Sequence, residues 1–164
     1  MDVLAGPFLA AAALLVLGGV PKAVSPGDTA RALRLLRLPV GPPAVRVLGA
    51  AEVVTGVAAV VWPGRPTAAL IAIWYAGFAG VVALALRSDQ PLATCGCFGG
   101  ADTPPTLAHL AVVAAASLTA MALAVSPVSD LLSGQAWLGL PFVAMAGLAA
   151  WFAYLVMSRL AVLR

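Results

Sequence analysis

Charged residues punctuate this chain at wide intervals, and the apolar runs between them set its architecture. Nineteen uncharged residues separate Asp2 from Lys22, 21 separate Arg65 from Arg87, 27 separate Asp102 from Asp130, and 28 separate Asp130 from Arg159. A helix of about 20 predominantly apolar residues crosses about 30 Å of hydrocarbon, so each run holds one transmembrane span. The 18 residues between Arg46 and Arg65 form a further apolar run, interrupted only by Glu52. The pattern therefore predicts an all-α integral membrane bundle of about five transmembrane helices, over residues 3–20, 47–61, 66–86, 106–125 and 137–157.

The breaks agree with this division. Pro21 is expected to end the first helix, Trp62-Pro63-Gly64 to turn the chain after the second, and Thr103-Pro104-Pro105 to start the fourth, because proline suits a first helical turn and disrupts an interior. The first run has only Asp2 ahead of it, not the basic leader of a secretory signal, and reads as a retained membrane helix. Small residues recur four apart, as in Ala76/Gly80 and Ala146/Ala150. Such pairs permit close helix approach, but in a chain this rich in alanine and glycine they assign no interface.

The connection from Lys22 to Arg46 is longer than the others. It opens on Ser25-Pro26-Gly27-Asp28, runs through Thr29 to Leu38 and closes on Pro39 with Gly41-Pro42-Pro43 following. Cap residues before and prolines after predict a short helix in the membrane interface, following the first span. At about 100° per residue, Arg31, Arg34 and Arg37 spread over one arc opposite Ala32, Leu33 and Leu36, with Leu35 and Leu38 on the basic side.

Composition confirms the solvent. Of 164 residues, 63% are hydrophobic and 9% charged, against roughly 25% charged in a soluble domain. That excludes an ordinary soluble enzyme, a disordered chain and a nucleic-acid-binding module, and residues 1–164 read as a single multi-pass membrane domain with the lipid bilayer as its surroundings. Placement says more than the net charge of +3. With five spans, the loops at 22–46 and 87–105 and the C-terminus share one side. Lys22 leaves the first span there, Glu52 is expected about a turn and a half inside the second, and His109, the only histidine, falls in the first turns of the fourth.

The only two cysteines, Cys95 and Cys97, lie in that end's second loop, within Thr94-Cys95-Gly96-Cys97-Phe98-Gly99-Gly100. A disulfide between residues two apart needs a bent backbone, which Gly96 allows. The ring would be small and strained, and strained exposed disulfides are the ones used for exchange. So small a ring adds little stability. A dithiol/disulfide pair is one reading, a Cu(I) site on two thiolates a second, and two inert thiols a third. Structural zinc lacks a convincing set of four ligands among Cys95, Cys97, His109 and Asp102, so no metal is assigned. Glu52 within a span needs an interior partner, and Lys22, whose stem can snorkel, is the candidate. The pair reads equally as a structural lock and as a site of proton transfer or ligand binding. His109 reads as a capping residue, or as a neighbour that lowers a thiol pKa.

Taken together, Gly18-Gly19-Val20-Pro21-Lys22 with Ser25-Pro26, the Ala30-Arg31-Ala32-Leu33 stretch, Ala51-Glu52 and Cys95-Gly96-Cys97-Phe98-Gly99 resemble the MauE proteins of methylamine utilisation, and more loosely the DoxX-like redox-associated membrane proteins. The resemblance covers nearly the whole chain. It implies a role in maturing a disulfide-rich exported protein, the small subunit of methylamine dehydrogenase in the namesake system, beside a thioredoxin-like partner. The order of elements is also similar to the vitamin K epoxide reductases, which generate disulfides with a quinone. By that analogy Cys95 and Cys97 are the redox pair, and a quinone near Glu52 is a candidate electron acceptor. Those enzymes use Cys-x-x-Cys and a second cysteine pair, which this chain lacks, so a second thiol pair has to come from a partner.

Charge and resemblance then disagree about orientation. Lys22, Arg31, Arg34, Arg37, Arg46, Arg87, Arg159 and Arg164 lie at the cysteine end against Arg65 alone opposite. The positive-inside rule turns that end toward the cytoplasm, where disulfides are disfavoured, while an exported partner requires it outside. The sequence leaves the side open. The reading is a membrane protein of thiol/disulfide chemistry; the alternative is a non-catalytic scaffold or Cu(I)-handling protein using the same cysteines.

Overall fold

The computed structural model describes residues 4–88 and 104–125, together with 147, 148, 150 and 151. Five helices run through them: α1 (Ala5–Val24), α2 (Gly27–Leu35), α3 (Pro42–Val61), α4 (Arg65–Arg87) and α5 (Leu107–Val125). All but α2 are long and apolar enough to cross a membrane, and no strand occurs among the described residues. The protein is a helical membrane bundle. The fifth predicted span, 137–157, lies outside the described residues except that 147, 148, 150 and 151 are helical and Ala150 is buried in the core.

Two boundaries differ from expectation, and both move chemistry. Pro21 does not end α1: the helix runs through it to Val24, and the Pro21 carbonyl accepts the Ser25 N–H at 2.7 Å. So near the C-terminus proline forfeits a single backbone bond, and the extra turn carries Lys22 into the bundle. Likewise Pro42-Pro43 do not merely stop the interfacial segment. They open α3, whose N-cap is Gly41, because a fixed φ near −65° is already helical and the missing N–H has no partner in a first turn anyway. Glu52 is therefore the eleventh residue of α3, near its middle and not a turn and a half from its end.

The core is centred on α1, the most enclosed of the spans. Phe8, Leu15, Ile71 and Val82 fill it together with alanines from every long helix. α1 packs mainly on α3, and α4 mainly on α5. Ser117 in α5 donates to the Ala72 carbonyl of α4 at 3.0 Å, and Tyr75 in α4 donates to the Ala11 carbonyl of α1 at 2.7 Å. Val47, Val54, Ile73 and Leu118 point outward and are exposed, as expected of side chains whose surroundings are lipid. Gly77 and Gly80 face open space, so the Ala76/Gly80 pair seats no neighbouring helix among the described residues. Trp62 is exposed at the end of α3, where an amphipathic ring suits the interface. Thr67 then starts α4, its hydroxyl accepting the Gly64 N–H at 3.0 Å.

Candidate functional site

Lys22 and Glu52 meet. The Lys22 Nζ donates to both carboxylate oxygens of Glu52, at 2.9 Å and 2.8 Å, and both side chains are buried. The third face of the ammonium lies over the Phe78 ring, 4.6 Å from its centroid, an electrostatic attraction that strengthens when water is excluded. Phe78 is fixed in turn by an edge contact with Tyr75 and a tilted one with Trp74, at centroid separations of 5.6 Å and 6.1 Å. Trp74 donates its indole N–H to the Thr55 hydroxyl at 3.2 Å. The pair thus joins three helices: α1 supplies the cation, α3 the anion and α4 the aromatic wall.

Glycines make the geometry attainable. A Cβ on Gly19 would lie 2.7 Å from the Gly49 carbonyl oxygen and 2.9 Å from the Glu52 Cβ; one on Gly49 would lie 2.6 Å from both the Gly19 oxygen and the Ala23 nitrogen. Gly56 continues the seam against Ala12 and Val16. Gly49, Glu52 and Gly56 therefore share one face of α3 at helical spacing, and the two backbones touch on either side of the carboxylate. Such close approach excludes lipid from the pair, and among the described residues no buried side-chain polar atom lacks a partner.

Arg46, which the longer α3 includes, donates its Nε–H to the Ala23 carbonyl at 3.1 Å. This satisfies one of the orphan acceptors in the last turn of α1. Sequence reasoning missed Phe78, Gly19, Gly49 and Arg46. Gly49 and Arg46 had signals in the chain, a glycine three residues before the intramembrane carboxylate and a double proline placing Arg46 in a first turn; the contacts of Phe78 and Gly19 depend on how the helices pack.

His109 is buried in the first turn of α5. Its Nδ1 shares a 2.8 Å hydrogen bond with the hydroxyl of Thr106, which also accepts the His109 backbone N–H at 3.4 Å. Thr106 acts as the N-cap, with the histidine folded back on it in the manner of a capping box. Thr106→Val is expected to cost about 1 kcal/mol of stability and to remove the hydroxyl's bond to the ring, seen as a changed His109 imidazole signal in NMR; an unchanged signal would show that the hydroxyl does not hold it. Cys95, Gly96, Cys97 and Phe98 lie outside the described residues.

The Lys22–Glu52 pair does not suit a quinone. Both carboxylate oxygens already accept from the ammonium, the rest of the ammonium faces the Phe78 ring, and the glycine backbones in contact leave little room for a ring among the described residues. A groove of about 420 Å³ opens elsewhere, between α1, α3 and the segment holding Gly147 and Trp151, lined by Ala13, Val16, Leu17 and Val57 among others. Among the described residues that line it none is ionisable, and it fits alkyl chains better than a polar ring.

Apolar helices with lipid-facing exteriors and, among the described residues, one enclosed charge pair define a multi-pass membrane protein whose first and second spans are locked together from inside. The chain belongs to the MauE family: the family model described as Methylamine utilisation protein MauE matches residues 2–127. That stretch includes Lys22, Glu52, Cys95, Cys97 and His109. Neither a curated protein nor a solved structure matches the chain.

Proposed function

We propose that the protein is a membrane component of thiol/disulfide chemistry, with Cys95 and Cys97 as the exchanging pair and an exported disulfide-containing protein or a thioredoxin-like protein as partner. The observation that carries this reading is membership of the MauE family over a match that includes the Cys-Gly-Cys segment. In the proposed exchange a partner thiolate attacks the Cys95–Cys97 disulfide to form a mixed disulfide. The partner's second thiol then closes its own disulfide and releases both cysteines as thiols. Two electrons and two protons enter the pair. A thioredoxin-like disulfide takes them off by the same steps in reverse, since the chain has no second cysteine pair of its own.

The locked bundle supports this reading by fixing the helices on either side of the cysteine segment. α4 and α5 lead into and out of the segment that holds the cysteines, and both pack on a core that α1 and α3 fix through the charge pair.

Cells producing Cys95→Ser or Cys97→Ser are expected to accumulate reduced partner protein, read as a gel shift after trapping thiols with a maleimide-linked mass tag. Full partner oxidation in both variants would overturn the reading. In intact cells producing the wild-type chain, an impermeant maleimide is expected to label Cys95 and Cys97 after mild reduction. Labelling seen only after the membrane is opened would exclude direct exchange with an exported partner.

A further inference from the structure

Arg37 is the only residue other than glycine with positive φ among the described residues, at 62°. It stands just past the end of α2, in the position where helices usually place glycine because a Cβ crowds the backbone there. The surrounding motif is complete. Leu38 N–H donates to the Leu33 carbonyl at 2.9 Å and Arg37 N–H donates to the Arg34 carbonyl at 2.9 Å. A glycine would therefore close this helix end with less strain, yet the chain keeps a guanidinium. Strain held in a left-handed residue is a pointer to use.

The rest of α2 points the same way. Thr29, Ala30 and Ala32 are buried, while Arg31, Arg34, Leu35 and Arg37 are exposed. Arg31 lies 3.8 Å from Asp28 in a solvent-exposed pair, which contributes little. Arg34 and Arg37 make no side-chain hydrogen bond or ion pair among the described residues. Three guanidiniums thus face one carboxylate on the outer side of a helix that lies between the C-terminus of α1 and the N-terminus of α3, at the end of the bundle. That level corresponds to lipid headgroups, and an exposed Leu35, next to Arg34 and one turn on from Arg31, suits a surface that meets charge and hydrocarbon together.

We propose that the C-terminal turn of α2 is a binding site for the phosphate of an anionic phospholipid, held by Arg34 and Arg37 with Leu35 against the acyl region. Guanidinium groups pair with phosphate oxygens through parallel N–H bonds. The positive charge of Arg34 and Arg37, unpaired among the described residues, and the left-handed backbone of Arg37 fit this ligand, and the interfacial level selects a membrane phospholipid over a soluble anion.

The test uses the full chain in detergent micelles, titrated with short-chain phosphatidylglycerol or phosphatidylcholine and followed by native mass spectrometry. The wild type is expected to retain phosphatidylglycerol preferentially. Arg34→Gln and Arg37→Gly are each expected to weaken it about fivefold, the effect of one arginine near an anionic surface. Arg65→Gln, at the opposite end, serves as the net-charge control and is expected to leave the preference unchanged. Arg37→Gly is the informative variant because it relieves the strain: it should unfold no more easily than wild type in phosphatidylcholine while losing the preference. Equal phosphatidylglycerol retention by Arg37→Gly and wild type would overturn the proposal, as would an equal loss in Arg65→Gln, or displacement of the lipid by glycerol phosphate at equal concentration.

Discussion

Lys22→Met is expected to destabilise the folded bundle by about 3–5 kcal/mol, the usual consequence of removing one partner from a buried pair. The carboxylate it leaves behind cannot escape. Glu52 lies at mid-helix, its Cβ is wedged against the Gly19 backbone, and both of its oxygens lose the ammonium that donates to them. Glu52→Leu should cost less, because Lys22 lies in the last turn of α1 and its four-carbon stem can swing the ammonium toward the headgroups. The double variant Lys22→Met/Glu52→Leu should recover most of the loss, since apolar side chains of similar volume replace buried ion pairs at little cost. Denaturant unfolding in micelles, followed by helical circular dichroism, gives all three values. A double variant as unstable as Lys22→Met would mean that the pair does more than neutralise itself; equal single variants would remove the argument from depth.

The spans were legible because lipid imposes one rule along the whole chain, and the fifteen charges marked where it lapses. α4 and α5 begin and end within a residue of expectation. The partnership of Lys22 with Glu52 was legible for the same reason, since an intramembrane carboxylate requires a cation and few were near. Depth was not legible. It depended on Pro21 and on Pro42-Pro43, and proline terminates or initiates a helix according to which backbone groups around it are still in demand. At Pro21 only one bond was at stake, so packing won and the helix continued. At Pro42 none was, and a pre-set φ drew five more residues into α3 than the charge pattern suggested. The aromatic wall was hidden for another reason: Phe78 reaches Lys22 only because α4 lies against α1, a contact that no local pattern encodes. The left-handed Arg37 was equally invisible, because the sequence rule at that position calls for glycine.

Gly49→Ala is expected to be among the most damaging single-methyl changes at the described glycines. The added carbon would sit 2.6 Å from the Ala23 nitrogen and 2.6 Å from the Gly19 oxygen. Both are backbone atoms inside α1, so no rotamer change relieves them. The helices must separate by roughly 1 Å, which forfeits dispersion along the whole seam and is expected to cost upwards of about 3 kcal/mol, the top of the range for overpacking. Gly19→Ala should act alike, since it meets the same carbonyl contact from the other side. Gly80→Ala is the counterpart: no neighbouring helix among the described residues lies within 4 Å of its Cβ position, and alanine is the better helix former, so it should be neutral or gain up to about 1 kcal/mol. The contrast matters beyond stability. If Gly49→Ala opens the seam, water and lipid reach the Lys22–Glu52 pair, and Lys22 should become reactive toward amine-labelling reagents that do not touch it in the wild type. Labelling of Lys22 in Gly49→Ala but not in Gly80→Ala, mapped by peptide mass spectrometry, is the expected result; Lys22 labelled equally in the wild type would show that glycine packing is not what encloses the pair.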